Sequence, residues 1–242
     1  MACASIWRNR DIAAISPIPA KTKQKATASV PATKQKRKPG RPKAEPDRDK
    51  RQDLLTAALH AFGSRGFDGV SLGQIAGDAG VDIALTRYYF GSKDALWQAV
   101  IDHLSQTLAS ELQERLSSVE GSATDRMKAV IRWFVDISAR VPELSRIIVF
   151  EGNNEGSRGD YVTGHLVQPF YALMAELIAG AQAEGTIGDI APRTLFFMIT
   201  HGGSFPMALP ALTNAFPGGN ITDAKALDAH AETIIALIFK DG

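Results

Sequence analysis

Three features of the sequence predict an all-α fold. From Asp49 onward, apolar residues recur at three- and four-residue spacing, the period of an amphipathic helix. Ser and Asp residues stand just ahead of several of these stripes, where their oxygens can cap a helix N-terminus. No alternating apolar–polar run of useful strand length interrupts the pattern, and no internal repeat is visible.

The first segment, residues 1–47, is expected to be a disordered basic arm. Lys21 to Pro46 is dominated by Lys, Thr, Ala, Gln and Pro, with Val30 its only large aliphatic residue. Such a segment buries too little apolar surface to offset the entropy of ordering it. Met1 to Ala20 holds no continuous apolar stretch of the kind a secretory signal needs.

The first helix carries Leu54, Leu55, Ala58, Leu59 and Phe62 on one stripe, and Gly63 and Gly66 are expected to stop it. Ser71 with Gln74 has the form of a capping box opening a short helix that turns Leu72, Ile75 and Ala76 inward. Ala79-Gly80-Val81 reads as a turn, and Asp82 can cap a second short helix reaching about Tyr89. Ser92 then caps a long helix with Leu96, Val100, Leu104, Leu108, Leu112 and Leu116 along one face. Further helices are expected over 123–140, 142–151, 160–184, 192–209 and 222–240. Gly185 and Gly188 end the third of these, Pro192 starts the fourth, and Pro206 and Pro210 kink or end it.

Composition bounds the function. The 242 residues are 45% hydrophobic and 22% charged, which suits a folded globular chain. Cys3 is the single cysteine, so neither an intrachain disulfide nor a cysteine-based zinc cage can form. No apolar run is long enough for a membrane helix, and no membrane partner is expected. The net charge of +1 hides an asymmetry: residues 1–50 hold 13 Lys and Arg against 4 Asp and Glu, the rest 14 against 22. A basic arm on an acidic body points to a polyanion for the arm, nucleic acid before an anionic membrane surface.

Two short helices joined by a glycine turn, with a helix on either side, form a helix-turn-helix unit. One helix crosses the phosphate backbone and the next presents side chains to base edges in the major groove. The string from Arg65 to Leu96 strengthens this reading through Gly66-Phe67, Val70-Ser71, Ile75-Ala76, Ala79-Gly80-Val81, Tyr89-Phe90 and Ser92-Lys93. It resembles the tetracycline-repressor (TetR) family of bacterial regulators, and the match spans about residues 48–104. Beyond residue 105 the resemblance is architectural.

The resemblance implies a helix-turn-helix DNA-binding domain over 48–95 and a helical effector-binding and dimerisation domain over 96–242. Ser71 and Gly73 would meet phosphate at the start of the backbone-crossing helix. Asp82, Ile83, Ala84, Leu85 and Arg87 would face the groove, and Tyr88 and Tyr89 would approach backbone or thymine methyls. Lys93 would contact phosphate at a helix N-terminus. The apolar Ile83-Ala84-Leu85 and the arginine at 87 depart from the commoner family pattern, which shifts base readout toward Arg87 and methyl contacts. Core packing is the other reading of Leu85 and Tyr89, and a solvated surface lysine that of Lys93.

In the arm, Lys36 to Lys43 resembles the Gly-Arg-Pro core of AT-hook peptides, with Arg41 placed for a narrow A·T-rich minor groove. A solvated basic linker is the alternative. Trp133, Phe150, Tyr161, His165, Gln168, Tyr171, Phe197 and His201 are candidates for an effector pocket, and each could equally be core. His165 and His201 lack a second ligand at metal spacing, so no metal is expected, and no cofactor.

The function expected is a sequence-specific, ligand-responsive transcriptional repressor, binding a palindromic operator in double-stranded DNA as a homodimer. Its dimer face would be the helices near 192–209 and 222–240, with Ile234 and Ile238 in the contact. The setting is the bacterial cytoplasm, nucleoid-associated when on DNA. Two alternatives stand beside it. One is an architectural A·T-rich binder acting through the arm. The other is an enzyme, against which no GxSxG, HExxH, P-loop or dinucleotide fingerprint is present.

Overall fold

The computed structural model describes residues 47–153 and 155–240. The arm, with Arg41 and its Gly-Arg-Pro segment, lies outside them. All regular structure among the described residues is helical.

Helix α1 (Asp47–Arg65) packs on α4 (Lys93–Ser117) and cradles α2 (Leu72–Asp78) and α3 (Ile83–Phe90). Its stripe Leu54, Leu55, Ala58 and Phe62 is at most 2% exposed. Gly66, with φ +70°, ends the helix, but Gly63 does not. A Cβ at Gly63 would lie 2.6 Å from Glu143 Cβ, so this glycine is inside α1 to admit α6 (Pro142–Gly152).

Helix α4 is continuous from Lys93 to Ser117, so the expected boundary at 95/96 falls within its first turn. Behind it, α5 (Ala123–Arg140) is the central helix, packed by α8 (Gln168–Ala183), α9 (Pro192–Ala208) and α11 (Ala224–Ile238). The N-terminus of α5 has a capping box between Ser122 and Asp125. Glu184 adds a second cap from beyond α8, accepting from Ala123 N at 2.7 Å and Thr124 N at 3.0 Å. The Thr124 hydroxyl, donating at 2.6 Å, and then these two backbone bonds hold the Glu184 carboxyl below its usual range.

Two expected helices are divided. The span 160–184 is α7 (Ser157–Val162), a π turn (Thr163–Val167) and α8. Pro169 has no N–H for the His165 carbonyl four residues back, and Ser105 Oγ of α4 donates to that carbonyl at 2.8 Å. The span 192–209 contains Pro206 inside α9 and is followed by the single turn α10 (Pro210–Thr213). The Gly202 carbonyl orphaned by Pro206 accepts from His230 Nε2 of α11 at 2.8 Å.

Among the described residues, one face of α9–α11 is uncovered. Phe205, Leu212, Phe216 and Leu237 are all more than half exposed, Leu237 at 81%. Ile234 and Ile238 do not belong to that face: they are half-buried against the chain's own core, and Leu237 is the residue that points outward.

Candidate DNA-binding surface and effector region

The α2–α3 unit is built from local caps. Ser71 Oγ accepts from Gln74 N at 3.2 Å while Gln74 Oε1 accepts from Ser71 N at 2.8 Å, so the expected capping box is formed. Gly80, at φ +64°, makes the turn. Asp82 Oδ1 accepts from Ala84 N at 2.7 Å and starts α3. These caps orient two short helices whose own hydrogen bonding is marginal.

On α3 the expected readout residues separate by face. Ala84, Arg87 and Tyr88 are exposed and spaced i, i+3, i+4, so they share one side. Asp82 is exposed at the cap, and Ile83 is half-exposed. Leu85 and Tyr89 are half-buried against the core, and Thr86 is fully buried, its hydroxyl donating to the Asp82 carbonyl. The exposed set is therefore narrower than Asp82, Ile83, Ala84, Leu85 and Arg87 read together. On α2, Ser71 and Gly73 are exposed near the N-terminus, and nothing lies within 4 Å of a Cβ built on Gly73.

Lys93 departs from expectation. Its ammonium donates to the Phe67 and Val70 carbonyls, both at 3.1 Å, and sits 4.1 Å from the Phe67 ring centroid. Two of its three N–H groups thus clamp the loop that leads into Ser71.

The effector candidates do not converge on one hollow. Trp133 is buried on α5 and meets Phe170, which meets Phe196; Tyr171 and Phe197 both stand edge-on to Phe196. This aromatic ladder ends outside, where Phe197 and His201 line an open hollow on α9 with Arg193, Thr194 and Met198. Tyr161 and His165 form a separate stack with ring centroids 3.9 Å apart. The Tyr161 hydroxyl donates to Asp102 of α4 at 2.6 Å. Burial, then the hydrogen bond and charge of Asp102, push that phenol up to about 12. Gln168 is exposed, and Phe150 is on α6 beside Gly66. Thr107, on α4, was missed by sequence reasoning. Its hydroxyl and Trp133 Nε1 are the buried side-chain atoms without a hydrogen-bond partner among the described residues. Within those residues no helix is long and apolar enough to cross a membrane.

A short capped helix pair carrying an exposed Arg–Tyr edge, braced on a longer helical bundle, defines a helix-turn-helix DNA-binding protein. Residues 54–100 match the family model of bacterial regulatory proteins, tetR family, and residues 124–238 that of the tetracyclin repressor-like C-terminal domain. The chain is 33% identical over 174 residues to the HTH-type transcriptional regulator RutR of Escherichia coli K12, covering 69% of this chain and 79% of the relative. It belongs to the tetR family and is a DNA-binding transcriptional regulator, not an enzyme. Its fold is shared with HlyIIR, a hemolysin II transcriptional regulator, at TM-score 0.63 and 20% identity over 81% of this chain and 99% of that one. It is shared likewise with AibR, crystallised with isovaleryl coenzyme A and operator DNA, at TM-score 0.64 and 14% identity over 78% and 98%.

Proposed function

We propose that the chain is a dimeric, effector-released repressor that reads a two-fold operator through α3. The observation that carries this reading is the exposed set Ala84, Arg87 and Tyr88 beside the α2 cap. Arg87 is suited to a bidentate contact with guanine, Ala84 to a thymine methyl, and Ser71 and Gly73 to phosphate. The uncovered apolar face of α9–α11 supports pairing with a second copy, which sets two α3 helices about one DNA turn, roughly 34–36 Å, apart. The domain division runs 1–47, 48–95 and 96–242, with α4 shared across the second boundary. The chain acts in the bacterial cytoplasm, on the nucleoid when bound.

The effector contacts assigned under this reading include the Thr107 hydroxyl of α4 and Trp133 Nε1 of α5, each buried without a hydrogen-bond partner among the described residues. A buried polar atom in that state is what a bound polar ligand group would satisfy. AibR's complex makes a short-chain acyl coenzyme A the first effector class to test. The deciding experiment is selection of bound sequences from random duplex DNA, followed by footprinting with and without isovaleryl coenzyme A. A two-fold site supports the reading; diffuse protection of A·T-rich DNA lost on removal of residues 1–44 would replace it with the architectural one.

A further inference from the structure

Helix α7 has six residues, and two of its side chains reach back to the DNA-binding unit. Arg158 places its guanidinium carbon 4.1 Å from the Phe67 ring centroid and a terminal nitrogen 3.8 Å from Asp68. Its Nε donates to Glu151, at the end of α6, at 3.2 Å. The Glu151 side chain is only 4% exposed, so this contact is made inside the fold. One turn on, Tyr161 holds Asp102 of α4 through its hydroxyl, and its ring lies 5.8 Å from Trp97. Trp97 in turn stands edge-on to Phe67 at 6.4 Å. The α1–α2 loop is therefore held by Lys93 from α4 and by Arg158 from α7 on the same aromatic ring.

We propose that Arg158 and Tyr161 are positioning residues for DNA binding. Through them α7 fixes the loop that ends at the Ser71 cap, and so sets how α2 and α3 are carried on α4. Neither residue lies on the α2–α3 surface. Arg158 joins the end of α6 to the loop, through its hydrogen bond to Glu151 and its contacts with Phe67 and Asp68. The π turn behind α7, tied to Ser105, gives α8 the same path to the loop. This rests on the reading that α2 and α3 meet DNA. It is distinct from the α1–α6 contact at Gly63 and from the hydrogen bond His60 Nδ1 makes to Glu143 at 3.1 Å.

The test uses the full chain and two probes: the duplex recovered by selection, and a random duplex of equal length. Glu151→Gln/Arg158→Gln removes the ion pair and the cation on Phe67 together, leaving no buried charge. Its affinity for the selected duplex is expected to fall roughly fivefold, the scale of coupling changes along such contacts. Affinity for the random duplex and the salt slope should stay unchanged, because no phosphate contact is lost. Hydrogen exchange should accelerate in the peptide 66–71 and not within α1. Arg158→Lys keeps a cation for Glu151 but loses the planar group on Phe67, and should show the same changes at smaller size. Tyr161→Phe should do so through α4. Wild-type affinity and exchange in the folded double variant would overturn the proposal. Should that variant not fold, wild-type values in Arg158→Lys would overturn it equally. A shallower salt slope would overturn it too, by making Arg158 a phosphate contact. If the wild type prefers no sequence, the DNA reading has failed, and the exchange data still decide whether α7 holds the loop.

Discussion

The α2–α3 unit and the bundle behind it end and orient their helices by different means. In the unit every cap is local: Gln74 answers Ser71 three residues back, Ala84 answers Asp82 two back, and Ala95 donates to Ser92. In the bundle the local Ser122–Asp125 box of α5 is joined by remote partners. Ser105 serves a carbonyl 60 residues on, His230 one 28 residues back, and Glu184 caps a helix that starts 61 residues earlier. A surface that must meet DNA needs backbone ends fixed before anything docks on it, and nearby side chains supply that. A bundle that must respond to a ligand gains from ties between helices, since those transmit displacement.

The largest effect expected on either region comes from the uncovered face. Leu237→Asp combined with Phe205→Asp should give a folded monomer by sedimentation. Loss of bivalent attachment should weaken operator binding by about 100-fold or more. Ile234→Asp, at a half-buried position, should instead lower the thermal midpoint. A dimer surviving the Leu237 and Phe205 changes would move the interface elsewhere.

Next come the two cations of the reading unit. Arg87→Ala should cost roughly 1–3 kcal/mol on the selected duplex and relax specificity at one position per half-site. Equal loss on random DNA would assign Arg87 to phosphate. For Lys93→Gln the structure predicts the reverse pattern. Losing two charge-assisted bonds to loop carbonyls should reduce stability by about 1.5–3 kcal/mol, with the salt slope of DNA binding unchanged. A slope lower by about one with full stability would return Lys93 to the DNA interface. Ser71→Ala removes one cap, worth about 1 kcal/mol of stability, and tests whether local capping carries the unit.

These contrasts follow what was legible in the sequence. The α2 box, the Gly80 turn, the Asp82 cap and the α1 stripe are written within a few residues of where they act. Whether Leu85 faces outward beside Arg87 was left open, because the rotation of an eight-residue helix is set by its neighbours, and these turn Leu85 toward the core. Gly63 looked like a helix stop because the reason for it, the approach of Glu143, lies 80 residues away. Pro206 announced a broken helical hydrogen bond but not His230 as the replacement, and the break at Pro169, served by Ser105, went unread within a span expected as one helix. Trp133 was an effector candidate from the sequence, whereas Thr107 became one only when its burial without a partner was visible.

The smallest effect expected lies where the two regions meet, between α1 and α4. His103 Nε2 accepts from Gln52 Nε2 at 3.1 Å, an arrangement that requires the neutral ring. Burial, then the charge of Arg51, lowers the His103 pKa below its ordinary 6.5. The unfolded chain therefore binds a proton here at a pH where the folded chain resists it. Stability from this site is complete above pH 6.5 and declines as pH falls from there through the lower folded value. Glu184 and Glu232 carry depressed values of their own, but their losses begin only in the carboxylate range. Denaturant unfolding between pH 7 and about pH 5 thus isolates the histidine. Subtracting the His103→Gln curve from the wild type should leave a difference that moves in the variant's favour as pH drops. A flat difference would show that the α1–α4 contact accommodates the imidazolium, and that this junction lacks the fixed geometry of the local caps beside it.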